Sequence, residues 1–127
     1  RGEAVMKYVA LLTNRQEDID RWQKMSPAEA QTARAEEVPK WEALFAELGP
    51  TGALGYGIEL AVPSTAKTVR VRDNETIVTD GPFAETKEQL GGLMELQCED
   101  LDQAIAIAAR IPVVFKASVE LRPVIEH

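Results

Sequence analysis

Thr79-Asp80-Gly81-Pro82-Phe83-Ala84-Glu85-Thr86-Lys87-Glu88-Gln89-Leu90-Gly91-Gly92 separates two β-prone runs. Hairpin connections usually take about two to five residues, and longer ones tend to be functional or disordered. This connection has a physical grammar of its own. Asp80 can bond backbone amides ahead of it, and Gly81 must avoid the helical region because Pro82 follows. Thr86-Lys87-Glu88-Gln89 fits a capping box for a single helical turn, and Gly91-Gly92 lets the chain bend back into the sheet.

On the N-terminal side, Thr68-Val69-Arg70-Val71-Arg72 alternates cleanly, Asp73-Asn74-Glu75 is a turn, and Thr76 to Thr79 returns antiparallel. On the C-terminal side, Leu93 to Cys98 reads as a strand with Met94, Leu96 and Cys98 on one face. Asp100 then caps a helix, with Gln103 at the capping-box position. Leu101, Ala104, Ile105, Ala108 and Ala109 form its expected apolar stripe, Arg110 suits the last turn and Pro112 ends it. Ser118 to Arg122 is a closing strand, and Pro123 places its end at a sheet edge.

Further out, Met6 to Leu12 reads as a strand largely buried in a sheet, and Asn14 to Lys24 holds a short helical turn around Ile19 and Trp22. Ser26-Pro27-Ala28-Glu29 joins an N-cap, a proline at the first helical position and a returning glutamate, so a helix starts at Pro27. Its stripe is Trp41, Leu44, Phe45 and Leu48, all expected in the core, and Gly49 is placed to stop it. Pro39 predicts a kink or break near Glu36 to Val38. In Thr51 to Leu60, Leu54, Tyr56, Ile58 and Leu60 alternate with a nearly bare face carrying Gly55 and Gly57. Such a strand either packs closely on another backbone or leaves floor space for a ligand.

The order β-α-β-β-(loop)-β-α-β, with the middle hairpin as a satellite of one strand, is the ferredoxin-like split βαβ arrangement: an α+β fold with an antiparallel sheet and two helices on one face. The other face needs cover, and the same face of a second copy supplies it, so a homodimer through the open sheet face is expected.

Composition limits the functions available. At 127 residues, 45% hydrophobic and 28% charged, the chain is one ordered domain. A net charge of −7 argues against direct nucleic-acid binding, which needs clustered Lys and Arg. The lone Cys98 has no disulfide or metal partner at a useful spacing and reads as a core residue. No apolar run reaches the roughly 20 residues of a spanning helix. A cytoplasmic protein is expected, without membrane contact, metal or cofactor. Met6 reads as a natural start, Arg1 to Val5 as an upstream extension or cloning remnant, and 6–127 as the single domain.

Candidate chemistry is sparse. The only histidine, His127, is the last residue, so no Ser-His-Asp or Cys-His set can be assembled. HExxH, Walker and GxGxxG patterns are absent, and Gly55-x-Gly57 does not open a helix. Asp80 is either a turn cap or a general base, the latter only if Phe83 buries it enough to raise its pKa. Lys87, Arg70 and Arg122 are candidate partners for an anionic ligand.

The run TDGPFAETKEQLGG (79–92) resembles the signature of the DGPF-domain proteins within the YCII-related family. MKYVALL (6–12), DLDQAIAIAARIP (100–112) and VELRPV (119–124) support the likeness. The resemblance implies a dimeric α+β barrel of ferredoxin-like subunits and an enzyme-like cleft built around a His-Asp pair. This chain lacks that histidine in its first long helix and lacks an aspartate between Ala108 and Pro112, which leaves Asp80 as the acidic candidate. Association with sigma-factor-dependent transcription control is implied by some relatives. Two functions follow: a cofactor-independent small-molecule enzyme doing proton transfer or elimination with Asp80 as acid/base, or a non-catalytic ligand-sensing or protein-binding module.

Overall fold

The computed structural model describes residues 5–82, 84 and 86–127. In chain order the elements are β1 (Met6–Arg15), α1 (Gln16–Gln23), α2 (Pro27–Leu48), β2 (Leu54–Glu59), β3 (Lys67–Arg72), β4 (Glu75–Asp80), β5 (Glu88–Cys98), α3 (Leu101–Ala108) and β6 (Val119–Pro123), with 3-10 turns at Gly49–Thr51, Pro63–Thr65 and Pro112–Phe115.

Four strands form an antiparallel sheet in the order β2-β5-β1-β6, which is compatible with the ferredoxin-like split βαβ topology. The pairings Tyr8 with Leu96 and Ala10 with Met94 put the buried side chains of β1 and β5 on one face. That face carries the core: Tyr8, Ala10, Leu12, Met94, Leu96 and Cys98 cluster with Leu44 of α2 and Ala104, Ile107 and Ile111 of the α3 region. Each fully buried aliphatic side chain there, such as Leu96 or Ile111, contributes roughly 1.5–3 kcal/mol.

The capping box of α2 forms as read: Ser26 Oγ accepts from the Glu29 amide at 3.1 Å and Glu29 Oε1 accepts from the Ser26 amide at 3.0 Å. The second of these bonds, from the Ser26 backbone amide, does most to hold the Glu29 carboxyl below its ordinary pKa. The helix is not broken at Pro39. Ala35 and Pro39 lie on the exposed side, so the carbonyl orphaned by the proline turns to water. One other reading of this helix needs correction. Leu44 is buried and Trp41 half-buried, but Phe45 is 47% exposed, its ring tilted against Trp41 at 5.8 Å. The helix does end at Leu48 with Gly49 as its C-cap; Gly49 stays right-handed and leads into the 3-10 turn, which Gly52, at φ +76°, closes in the left-handed conformation.

The stripe of α3 is rotated from the expected one. Ala104, Ile107 and Ala108 are buried, while Leu101 and Ile105 are about half exposed. Asp100 does cap the helix, accepting from the Gln103 amide at 2.8 Å, and Gln103 Oε1 accepts from the Glu99 amide at 2.6 Å.

β3 and β4 form a separate two-stranded sheet. Asp73 and Asn74 both have positive φ, 51° and 64°, the conformation of a two-residue hairpin turn, and Glu75 already belongs to β4.

Half of the signature run is strand. Thr79 and Asp80 end β4, and Glu88 to Gly92 open β5, so only residues 81–87 connect them. The helical turn expected at Thr86–Gln89 does not form: Thr86 Oγ1 donates to the Glu88 carbonyl, and Gln89, buried, donates to the Thr86 carbonyl at 3.2 Å. The register steps from Leu12–Gly92 to Thr13–Leu90, which makes Gly91 the extra residue of a bulge. A Cβ on Gly92 would sit 2.6 Å from the Ile58 carbonyl oxygen. Gly91 faces the Asn14 side chain, whereas Gly92 lets β2 approach β5 closely. Gly55 has the same use: a Cβ there would meet Glu95 Cβ at 3.0 Å, so its bare position is filled by packing.

Candidate functional site

Where β1 runs into α1, the chain passes the start of β5 and leaves a groove of about 450 Å³ lined by Arg15, Gln16, Glu17, Lys87 and Glu88. Two features fix its walls. The β1–β5 ladder continues to the pair Arg15–Glu88, and the Gln16 amide then donates to the Lys87 carbonyl at 2.7 Å. Below them, three strands are tied at Thr13: Thr13 Oγ1 donates to the Ser118 carbonyl at 2.9 Å and accepts from the Ser118 amide at 3.1 Å, while Ser118 Oγ donates to Glu88 Oε2 at 3.0 Å.

Charge in the groove is partly committed. Arg15 donates through Nε to Asp18 Oδ2 at 3.2 Å and pairs with Glu17 at 3.1 Å, and Arg21 reaches Asp18 Oδ1 at 3.1 Å. Asp18 is buried, so this carboxylate between two guanidinium groups orients Arg15. Lys87 makes no ion pair among the described residues. The groove thus offers one ammonium group and a pinned guanidinium, together with the carboxylates of Glu17, paired with Arg15, and Glu88, bonded to Ser118.

Of the candidate site residues singled out from the sequence that the structure describes, only Lys87 lines this groove. Asp80 ends β4 with its side chain 85% exposed and ion-paired to Lys67 across the hairpin. Pro82 has no N–H, so the amide-capping reading of Asp80 would need Phe83, which lies outside the described residues, as does its own candidate role. The glycine beside Asp80 is structurally specified: Gly81 has φ +91°, its amide donates to the Ala66 carbonyl at 2.8 Å, and Thr68 Oγ1 donates to its carbonyl at 2.7 Å. Arg70 sits half-buried on β3 opposite Ile77, and Arg122 lies on β6 opposite Val9, paired with Glu120.

Sequence reading missed Arg15, Asp18 and the Thr13–Glu88–Ser118 tie. An aspartate three residues from one arginine and three from another, in a polar run, was the available signal for Asp18.

Residues 6–127 match the YCII-related domain. The chain belongs to the YCII-related family. Among curated proteins, this YCII-related chain is 49% identical over 57 residues to an uncharacterised protein of Rhizobium meliloti (strain 1021), covering 45% of this chain and 46% of that protein. The match thus spans about half the length of that relative.

Other chemistry in the molecule is inert or occupied. Cys98 is buried, and burial together with the nearby Asp100 charge pushes its thiol pKa up. A second groove of about 230 Å³ between the end of α2 and α3 includes Arg110, whose guanidinium forks onto the Glu47 carboxylate. Among the described residues no group of three or more His, Cys, Asp or Glu side chains converges on a metal-sized site, and no helix is long and apolar enough to cross a membrane.

Proposed function

We propose that this YCII-related protein is a non-catalytic binding module that takes up a small carboxylate-bearing molecule in the groove beside Lys87, and that it works as a homodimer through its open sheet face. The observation that carries the binding reading is the contrast between two residues of the signature run. Asp80 stands in open water paired to Lys67, without the burial a general base needs, whereas Lys87 lines a groove and has no ion-pair partner among the described residues. The groove volume falls in the small-molecule range of about 300–1,000 Å³.

Lys87 supplies the charge for a ligand carboxylate, and Glu17 and Glu88 accept from an amine or hydroxyl on the same ligand. Amino-acid-like zwitterions fit this distribution. For the homodimer, support comes from Val9, Leu11 and Leu93, which lie half-buried on the sheet face opposite the core.

A thermal-shift screen of amino acids and other small carboxylates tests the binding reading. A hit should lose its effect in Lys87→Met and keep it in Asp80→Asn. Chemical conversion of a hit by the wild-type chain, abolished in Asp80→Asn, would replace this reading with the enzymatic one.

A further inference from the structure

We infer that one face of the β3–β4 hairpin is an interface between copies of this chain, docking on the partner in the homodimer and enlarging the contact made by the open sheet face. The register pairs Val69 with Val78 and Val71 with Thr76, which puts three valines on a single face of the hairpin. They are 60%, 60% and 57% exposed for Val69, Val71 and Val78. The half-buried residues of β3, Thr68 and Arg70, belong to the opposite face, so the valines point away from the body.

Its own chain supports such a hairpin on one side only: Thr68 and Arg70 are half-buried, while every residue of β4 is exposed. Two strands alone are marginally stable in water, and both strands of this sheet are edges. The sequence nevertheless specifies it firmly, with valine alternation, the Asp73-Asn74 turn and the anchors at Gly81.

Surface area is consistent in size with a second copy as the occupant. The molecule exposes 9059 Å², whereas a compact monomer of 14.0 kDa exposes about 6,700 Å². The excess is about 2,400 Å²; fully extended ends, residues 1–5 and 124–127 at roughly 160 Å² each, would account for up to about 1,400 Å² of it and leave about 1,000 Å². Permanent homodimers bury about 1,000–2,500 Å² per subunit, the same range. Charge points the same way. In a chain of net charge −7, the ion pair Lys67–Asp80 neutralises the root of this face, so two copies meet there without like-charge repulsion.

The inference rests on the homodimer reading, and light scattering after size exclusion separates the two. The wild-type chain should run at twice its 14.0 kDa mass, and Val69→Glu/Val78→Glu should dissociate with a constant raised about tenfold or more. A wild-type monomer at every concentration overturns both readings. A double variant that dimerises like wild type overturns the hairpin interface and leaves the homodimer standing. Should the variant fail to fold, hydrogen exchange on the wild-type chain decides: hairpin amides exchange more slowly at high than at low protein concentration if the interface exists, and concentration-independent exchange there overturns it.

Discussion

Replacing Gly92 with alanine tests whether this glycine of the signature run is there for close strand approach. An alanine Cβ would lie 2.6 Å from the carbonyl oxygen of Ile58, a backbone atom, and 3.5 Å from Glu59 Cα. Relief requires β2 to move away from β5. That edge strand is held at Gly57–Met94, Ile58–Leu93 and Glu59–Gly92, and by the Leu60 amide donating to the Gly91 carbonyl at 2.8 Å. Overpacking of this kind costs about 1–3 kcal/mol, and each ladder bond lost adds about 1 kcal/mol. The reduced chain entropy of alanine returns about 0.5–1 kcal/mol, leaving a net loss of about 2 kcal/mol. Two controls sharpen the comparison. Gly57→Ala meets nothing closer than Met94 Cγ at 3.5 Å and should be neutral or slightly stabilising. In Gly91→Ala the obstacle is the Asn14 side-chain amide, which can rotate aside, so its loss should be smaller than that of Gly92→Ala. Urea unfolding followed by circular dichroism gives all three values. Equal stability of Gly92→Ala and wild type would refute the close-approach explanation.

Pro39→Ala should stabilise the chain by about 1–3 kcal/mol in the same assay, because it restores a helix bond to Ala35 in an unbroken α2. Asp18→Asn should cost about 2 kcal/mol, a figure already reduced for the exposure of Arg15 and Arg21, and ligand hits in the Lys87 groove should weaken with it because Arg15 loses its orientation. Cys98 provides a pH test. Its folded pKa is raised above 9.0, so the neutral thiol's contribution is fully present below that value and declines as pH rises through the folded pKa. Urea midpoints measured from about pH 8 to pH 11 should therefore fall less steeply in Cys98→Ala than in wild type.

The fold was legible because its strongest signals are local: the Ser26–Glu29 box, the alternation in β1, β3 and β5, and Asp100 as a cap all act within a few residues. What sequence reading got wrong depends on tertiary context. Pro39 costs α2 a bond to Ala35 and crowds that turn, but both residues lie on the exposed side and the helix continues through them. Leu101 and Ile105 are as apolar as Ile107, and only the position of the sheet decides which side of α3 turns inward. Gly91-Gly92 looked like a bend because the approaching strand, β2, lies more than thirty residues earlier in the chain. The site was harder still. Thr13 and Ser118 meet across 105 residues, and for Asp18 the flanking Arg15 and Arg21 hint at ion pairing while the polar run around it masks its burial. The signature run directed attention to its acid, Asp80, although the residue it delivers to the groove is Lys87.

Calorimetric titration of one carboxylate hit from the screen into wild type, Lys87→Met and Asp80→Asn addresses the functional claim most directly. The account predicts an unchanged dissociation constant for Asp80→Asn and one raised about tenfold or more for Lys87→Met, the loss of one charge-assisted hydrogen bond. Binding that survives in Lys87→Met and disappears in Asp80→Asn would contradict it.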